Sequence, residues 1–109
     1  MATVIPTQIF PGYTSNGTLI TIPIADLEGL TPAEADAATG NAMEFLRAVI
    51  EKTQMQLSAL APTARPTRAT LTKDVPAIAT GTGIPPGTLR QGYRATFDLT
   101  PTNLEPTAE

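Results

Sequence analysis

Cysteine and histidine are both missing from this 109-residue chain. Their absence removes disulfides, thiol catalysis, the thiolate and imidazole ligands of structural zinc, and the commonest general base. Aromatic residues make up only 5%, too few for a stacking platform that would grip bases or sugars. Charged residues are also scarce, at 16% against a usual figure of about 25%. No apolar run approaches the roughly 20 residues needed to span a bilayer. Met1 to Ile5 is short and uncharged and does not resemble a signal peptide.

Threonine, alanine and 11 prolines fill the space instead. A chain of this length is one domain at most and buries roughly two-thirds of its unfolded surface. The net charge of -3 is unevenly placed. Residues 1–60 set Asp26, Glu28, Glu34, Asp36, Glu44 and Glu51 against Arg47 and Lys52. Residues 61–100 set Arg65, Arg68, Lys73, Arg90 and Arg94 against Asp74 and Asp98. Cations spread over strands and a linker read as a solvated face, not as a nucleic-acid footprint.

The segment Thr31–Leu60 alone has sustained helical periodicity. Thr31, Pro32 and Glu34 form a capping box, and Asn41 with Glu44 forms a second N-cap pattern behind Gly40. This predicts a short helix over 32–39, a kink, and a main helix over 42–60 that Pro62 stops. An uninterrupted helix through Gly40 would cost only about 1 kcal/mol and stays open. On the main helix Ala42, Phe45, Leu46, Val49, Ile50, Thr53, Leu57 and Leu60 trace an apolar stripe.

The flanks read as extended chain. Residues 18–24 alternate, with Ile20, Ile22 and Ile24 expected inward and Pro23 marking an edge. Asn16-Gly17 opens a turn into that strand, and residues 26–30 form a turn into the helix. Residues 67–73 and 89–99 alternate as well, joined through the hairpin-loop composition of GTGIPPGT at 81–88. In 89–99, Leu89, Gln91, Tyr93, Ala95, Phe97 and Leu99 share one side, with Arg90 and Arg94 on the other. The class expected is α+β, a small mainly antiparallel sheet packed on one principal amphipathic helix. Its packing is expected through Ile20, Ile22, Phe45, Leu46, Val49, Leu57, Leu71 and Phe97. The domain is placed at 18–99, between an extended N-terminal arm, 1–17, and a polar tail, 100–109, whose one apolar anchor is Leu104. Pro6 and Pro11 predict that no helix forms in the arm.

Chemistry is hard to find. Ser15 sits in a turn and Ser58 on the polar helix face. Glu34 and Asp36 are explained by helix capping, and Asp26 with Glu28 supplies too few ligands for a calcium loop. The 81–88 loop lacks the Lys-Ser/Thr of a phosphate loop. No catalytic residue, metal ligand, cofactor or small-molecule substrate is expected. The candidates are for partner binding: Val4, Ile5, Ile9, Phe10 and Tyr13 on a proline-stiffened arm, with Arg90 and Arg94 on the last strand.

The motifs ITIPI at Ile20–Ile24, LxGLTxAEAD at Leu27–Asp36 and Thr39-Gly40 before an amphipathic helix resemble small proteins of cyanobacteria and their tailed phages. The resemblance spans about residues 18–53 and rests on fold-forming residues. It implies a non-catalytic virion structural protein, foremost a capsid decoration (cement) protein. Its partners would be other virion proteins or further copies of itself, in a virion assembled in the host cytoplasm. A head–tail connector or tail/baseplate component, or a small cellular protein-binding adaptor, stands as the alternative.

Overall fold

The computed structural model describes residues 3–101 and Pro106. The chain divides after Thr67 into two compact units, Met1–Thr67 and Arg68–Ala108. That boundary falls between the long helix and the strands after it. The class is α+β, with one main helix and short antiparallel strand pairs. Leu104 lies outside the described residues.

The first unit begins with a single helical turn, α1 (Pro6–Ile9), where no helix was expected. Pro6 sits at the first helical position, where its missing N–H costs nothing, and its carbonyl accepts the Phe10 N–H at 2.9 Å. Gln8 folds back to accept the Ile5 N–H at 2.9 Å. Pro11 falls just beyond this turn, so the two prolines bracket it instead of forbidding it.

The pair β1 (Thr14–Ser15) and β2 (Ile20–Thr21) follows as a hairpin around Asn16-Gly17. The Asn16 carboxamide oxygen accepts the N–H groups of Thr18 and Leu19, at 2.9 and 2.7 Å. Pairing ends at Thr21, before Pro23, which leads into a 3-10 turn, Ile24–Asp26. The inward isoleucine face is only partly realised. Ile22 packs against the core, while Ile20 and Ile24 are exposed.

Residues 31–41 form successive turns in place of the short helix. The capping box is present: Glu34 Oε1 accepts the Thr31 N–H at 2.9 Å, and Thr31 Oγ1 accepts the Glu34 N–H at 3.2 Å. Asp36 then captures the N–H groups of both Ala38 and Thr39 at 2.9 Å, diverting donors that a helix would need. Asn41 caps the main helix, α2 (Ala42–Ala59), its oxygen accepting from the Met43 and Glu44 N–H groups. At the far end Arg65 donates to the carbonyls of Ser58 and Leu60, at 2.9 and 3.0 Å.

The core of this unit is Ile9, Phe10, Leu27, Leu30 and Ala48. Helix α2 turns Ala48, which is 0% exposed, into that core. Val49 and Leu57 of the expected stripe pack against the cluster, but Phe45 and Leu46 remain 45% exposed. The expected packing through those two is corrected. The helix turns its smallest side chain inward because what meets it is α1, not a broad sheet. Gln56 adds a bond to the Gln8 carbonyl. Gly12 completes the clasp: its N–H reaches Asp26 Oδ2 at 2.7 Å, and a Cβ there would lie 2.5 Å from Pro23 Cγ.

In the second unit β3 (Ala69–Lys73) pairs with β6 (Tyr93–Phe97), and β4 (Ala77–Ile78) with β5 (Leu89–Arg90). Bonds from Asp98 N–H to the Arg68 carbonyl and from Ala79 N–H to the Thr88 carbonyl extend the pairing at both ends. The two pairs follow one another along the same two segments as a two-stranded ribbon interrupted at residues 74–76 and 91–92. It shares no strand pairing with β1 or β2, so the single sheet expected from 18–24, 67–73 and 89–99 is corrected to separate ribbons. Phe97 is 60% exposed and does not supply the burial expected of it.

Phe10→Ala is expected to destabilise the first unit by about 3–5 kcal/mol, the range for a buried aromatic. Leu46→Ala should cost under about 1 kcal/mol, because its side chain already meets water. Urea unfolding followed by circular dichroism ranks the two; equal losses would show that this core assignment is wrong.

Candidate functional site

The arm residues proposed for partner binding are largely used within the chain. Ile9 and Phe10 are buried in the core of the first unit, and Val4 and Tyr13 pack against it. Of the five, only Ile5 remains exposed. They are therefore not free anchors: an apolar segment beside a thin helix finds its nearest cover in its own chain. Arg90 and Arg94 are exposed, as the alternation requires.

Exposed apolar side chains lie on both units, among them Leu19, Ile20, Met43, Phe45 and Leu46 on the first and Val75, Ile78, Leu89 and Phe97 on the β-ribbon of the second. The pairs Ala69↔Phe97, Leu71↔Ala95 and Lys73↔Tyr93 put these residues on one face. Thr70↔Thr96 and Thr72↔Arg94 occupy the other. Between Lys73↔Tyr93 and Ala77↔Arg90, residues 74–76 oppose only 91–92, so one strand carries an extra residue. Pro76 cannot donate to a ladder, which suits it to this bulge. Asp74 N–H still reaches the Gly92 carbonyl at 2.9 Å, and the Gln91 carboxamide donates to the Asp74 and Gly92 carbonyls.

The bulge has a consequence for register. On an unbroken strand Ile78 would face the side opposite Leu71. The extra residue shifts the phase by one, and Ile78↔Leu89 then joins the face of Leu71, Tyr93 and Phe97. One side of the ribbon is thereby mainly apolar, with Lys73 in its middle, and the other carries threonines with Arg90 and Arg94. Ile78 is 70% exposed and Leu89 67%. Ala79 is the one buried hydrophobic among the described residues of this unit.

The first unit carries a shallow hollow of 360 Å³ lined by residues 34–38, 40–42 and Phe45. Its floor is alanine and the Phe45 ring. Gly40 is needed in its wall, because a Cβ there would collide with the backbone of Glu34 and Asp36. Glu34 and Asp36 are the carboxylates of the lining. The Thr31 N–H and hydroxyl hold Glu34 below the usual carboxylate range, with Arg47 a smaller cause in the same direction. The N–H groups of Ala38 and Thr39 lower Asp36 likewise. Arg47 forks onto Glu44 through Nε and Nη2, each at 3.0 Å.

These groups are arranged as turn-forming acceptors. A general acid needs a raised carboxyl pKa, and both shifts here run the other way. Asp26 is held by the Gly12 N–H. Among the described residues no three His, Cys, Asp or Glu side chains cluster as a metal site, and no helix is long and apolar enough to cross a membrane. Sequence reasoning missed Leu27, Leu30 and Ala48, which carry the core. The i, i+3 spacing of the two leucines was the available signal.

Because the carboxyl pKa values of Glu34 and Asp36 are lower folded than unfolded, their stabilisation is fully present above the unfolded value. It is lost as pH falls through the folded values. Carboxyl titration by NMR should find both midpoints below those of the same residues in urea. Thr31→Val, which removes the hydroxyl donor but keeps the N–H, should raise the Glu34 midpoint part of the way back. An unchanged midpoint would remove the hydroxyl from this account.

No protein-family model matches this chain, and neither a curated protein nor a solved structure does.

Proposed function

We propose that this protein is a non-catalytic structural component of a tailed-phage virion, foremost a capsid decoration protein, and that its β-ribbon is the part that docks on a neighbouring virion protein. The observation that carries the reading is the ribbon itself. One of its faces is mainly apolar, with Lys73 among side chains of which Ile78, Leu89 and Phe97 stand mostly in water, and among the described residues of this unit Ala79 is the one buried hydrophobic.

A two-stranded ribbon is at best marginally stable alone, and an apolar face needs a cover. Covering a mostly exposed Ile, Leu or Phe contributes on the order of 1.5–3 kcal/mol per side chain before ordering costs. Three such residues suffice for a many-copy assembly, where each contact can be weak and repetition supplies the avidity. The lack of histidine and cysteine, and carboxylates committed to backbone donors, support a role without chemistry. The motifs at Ile20–Ile24 and Leu27–Asp36 support the phage context.

Phe97→Asp is expected to leave the unfolding of the first unit unchanged and to abolish incorporation into particles. Quantitative mass spectrometry of gradient-purified virions, from cells expressing wild type or variant, reads the copy number directly. Full incorporation of the variant, or absence of the wild-type chain from particles, would overturn the reading.

A further inference from the structure

Resting on that assembly role, we infer that one neighbour is a second copy of this chain, bound head to tail: the β-ribbon of one copy seats on the alanine-floored hollow at Phe45 of the next.

Charge chooses the occupant. The described residues of the first unit carry Asp26, Glu28, Glu34, Asp36, Glu44 and Glu51 against Arg47, Lys52 and Arg65. Those of the second carry Arg68, Lys73, Arg90 and Arg94 against Asp74 and Asp98. One unit is thus net acidic and the other net basic. A ribbon-to-ribbon contact would bring like net charges together, whereas ribbon to first unit brings opposite ones together.

Each side also presents apolar surface suited to the other. The hollow is open, and its apolar lining includes Ala35, Ala38, Ala42 and Phe45. Met43 and Leu46 stand exposed on the same turns of α2. The far end of the ribbon offers Ile78 and Leu89 as paired projections, with the exposed Arg90 next along the strand on the ribbon's other side. Backbone donors lower the carboxyl pKa of Glu34 and Asp36 at the hollow, which favours their charged form.

The contact is heterologous, since the surface each copy gives differs from the surface it receives. Repeating it produces a closed ring or an open stack and does not stop at a dimer.

Two variants separate the surfaces. Leu89→Asp disables the ribbon and leaves the hollow. Ala38→Arg fills the hollow and halves its negative charge; the Ala38 N–H that bonds Asp36 is kept. Sedimentation velocity should find wild type forming species larger than a dimer as concentration rises, with association several-fold weaker at 500 mM than at 50 mM NaCl. Each variant alone should stay monomeric, and an equimolar mixture should form a one-to-one dimer and nothing larger. Circular dichroism of each variant, matching wild type, establishes that it is folded.

The inference is overturned if wild type is monomeric throughout or stops at a dimer, if Ala38→Arg assembles like wild type, or if the mixture fails to pair. Particle incorporation read in parallel distinguishes the two levels. Wild type that is monomeric in solution but enters particles only with Leu89 intact defeats the self-contact and keeps the assembly role. Entry that ignores Leu89 defeats the assembly role itself.

Discussion

The burial of Ala48 against the chain's own N-terminal segment is the contact on which the first unit depends. A helix of 18 residues brings one narrow stripe to its neighbour, and that neighbour is a single helical turn. A methyl group at the point of closest approach lets the two backbones come together, with Ile9 and Phe10 filling the sides and Leu27 and Leu30 closing the rest. The Gly12–Asp26 bond and the Gln56–Gln8 bond hold the segment in that position. With so small a core, each of these side chains carries a large share of the margin that keeps a domain folded.

The second unit solves a different problem. Its strands satisfy their backbone groups with each other over most of their length, yet a two-stranded ribbon has no second layer. The bulge at residues 74–76 makes this more pronounced, because it collects Leu71, Ile78, Leu89, Tyr93 and Phe97 on one side. A ribbon built for solvent on both sides would gain nothing from such a correction of phase. The two units therefore differ in their interiors: the first encloses five hydrophobic side chains, and the second, among its described residues, encloses Ala79 alone.

That contrast bears first on the N-terminal arm. The N-terminal arm looked like the docking element because prolines and isoleucines in an extended segment suit a partner surface. The same residues suit an intramolecular groove equally well, and with α2 adjacent the intramolecular contact has no association entropy to overcome. The carboxylates tell a parallel story. Asp26, Glu34 and Asp36 are each bound to backbone donors, so the acidic character of the first unit is a by-product of building turns and is available to a basic partner face.

Local signals in the sequence were enough to determine the local structure. The Asn41 cap, the stop at Pro62, the Asn16-Gly17 hairpin, the loop at 81–88 and the alternation of 89–99 each depend on residues within a few positions of one another. The Thr31–Glu34 box also formed, but Asp36 competed successfully for the next donors, and the helix it should have started became a run of turns. What only the tertiary structure decided was which of several equivalent faces turns inward. Helical periodicity admits both the stripe through Phe45 and Leu46 and the one through Ala48, and the choice falls to the shape of the partner element. Strand alternation likewise fixes sides only until a bulge; whether Ile78 joins Leu71 or opposes it is settled by the register of pairing across the ribbon. Faces are properties of pairs of elements, and a sequence read one segment at a time contains only half of each pair.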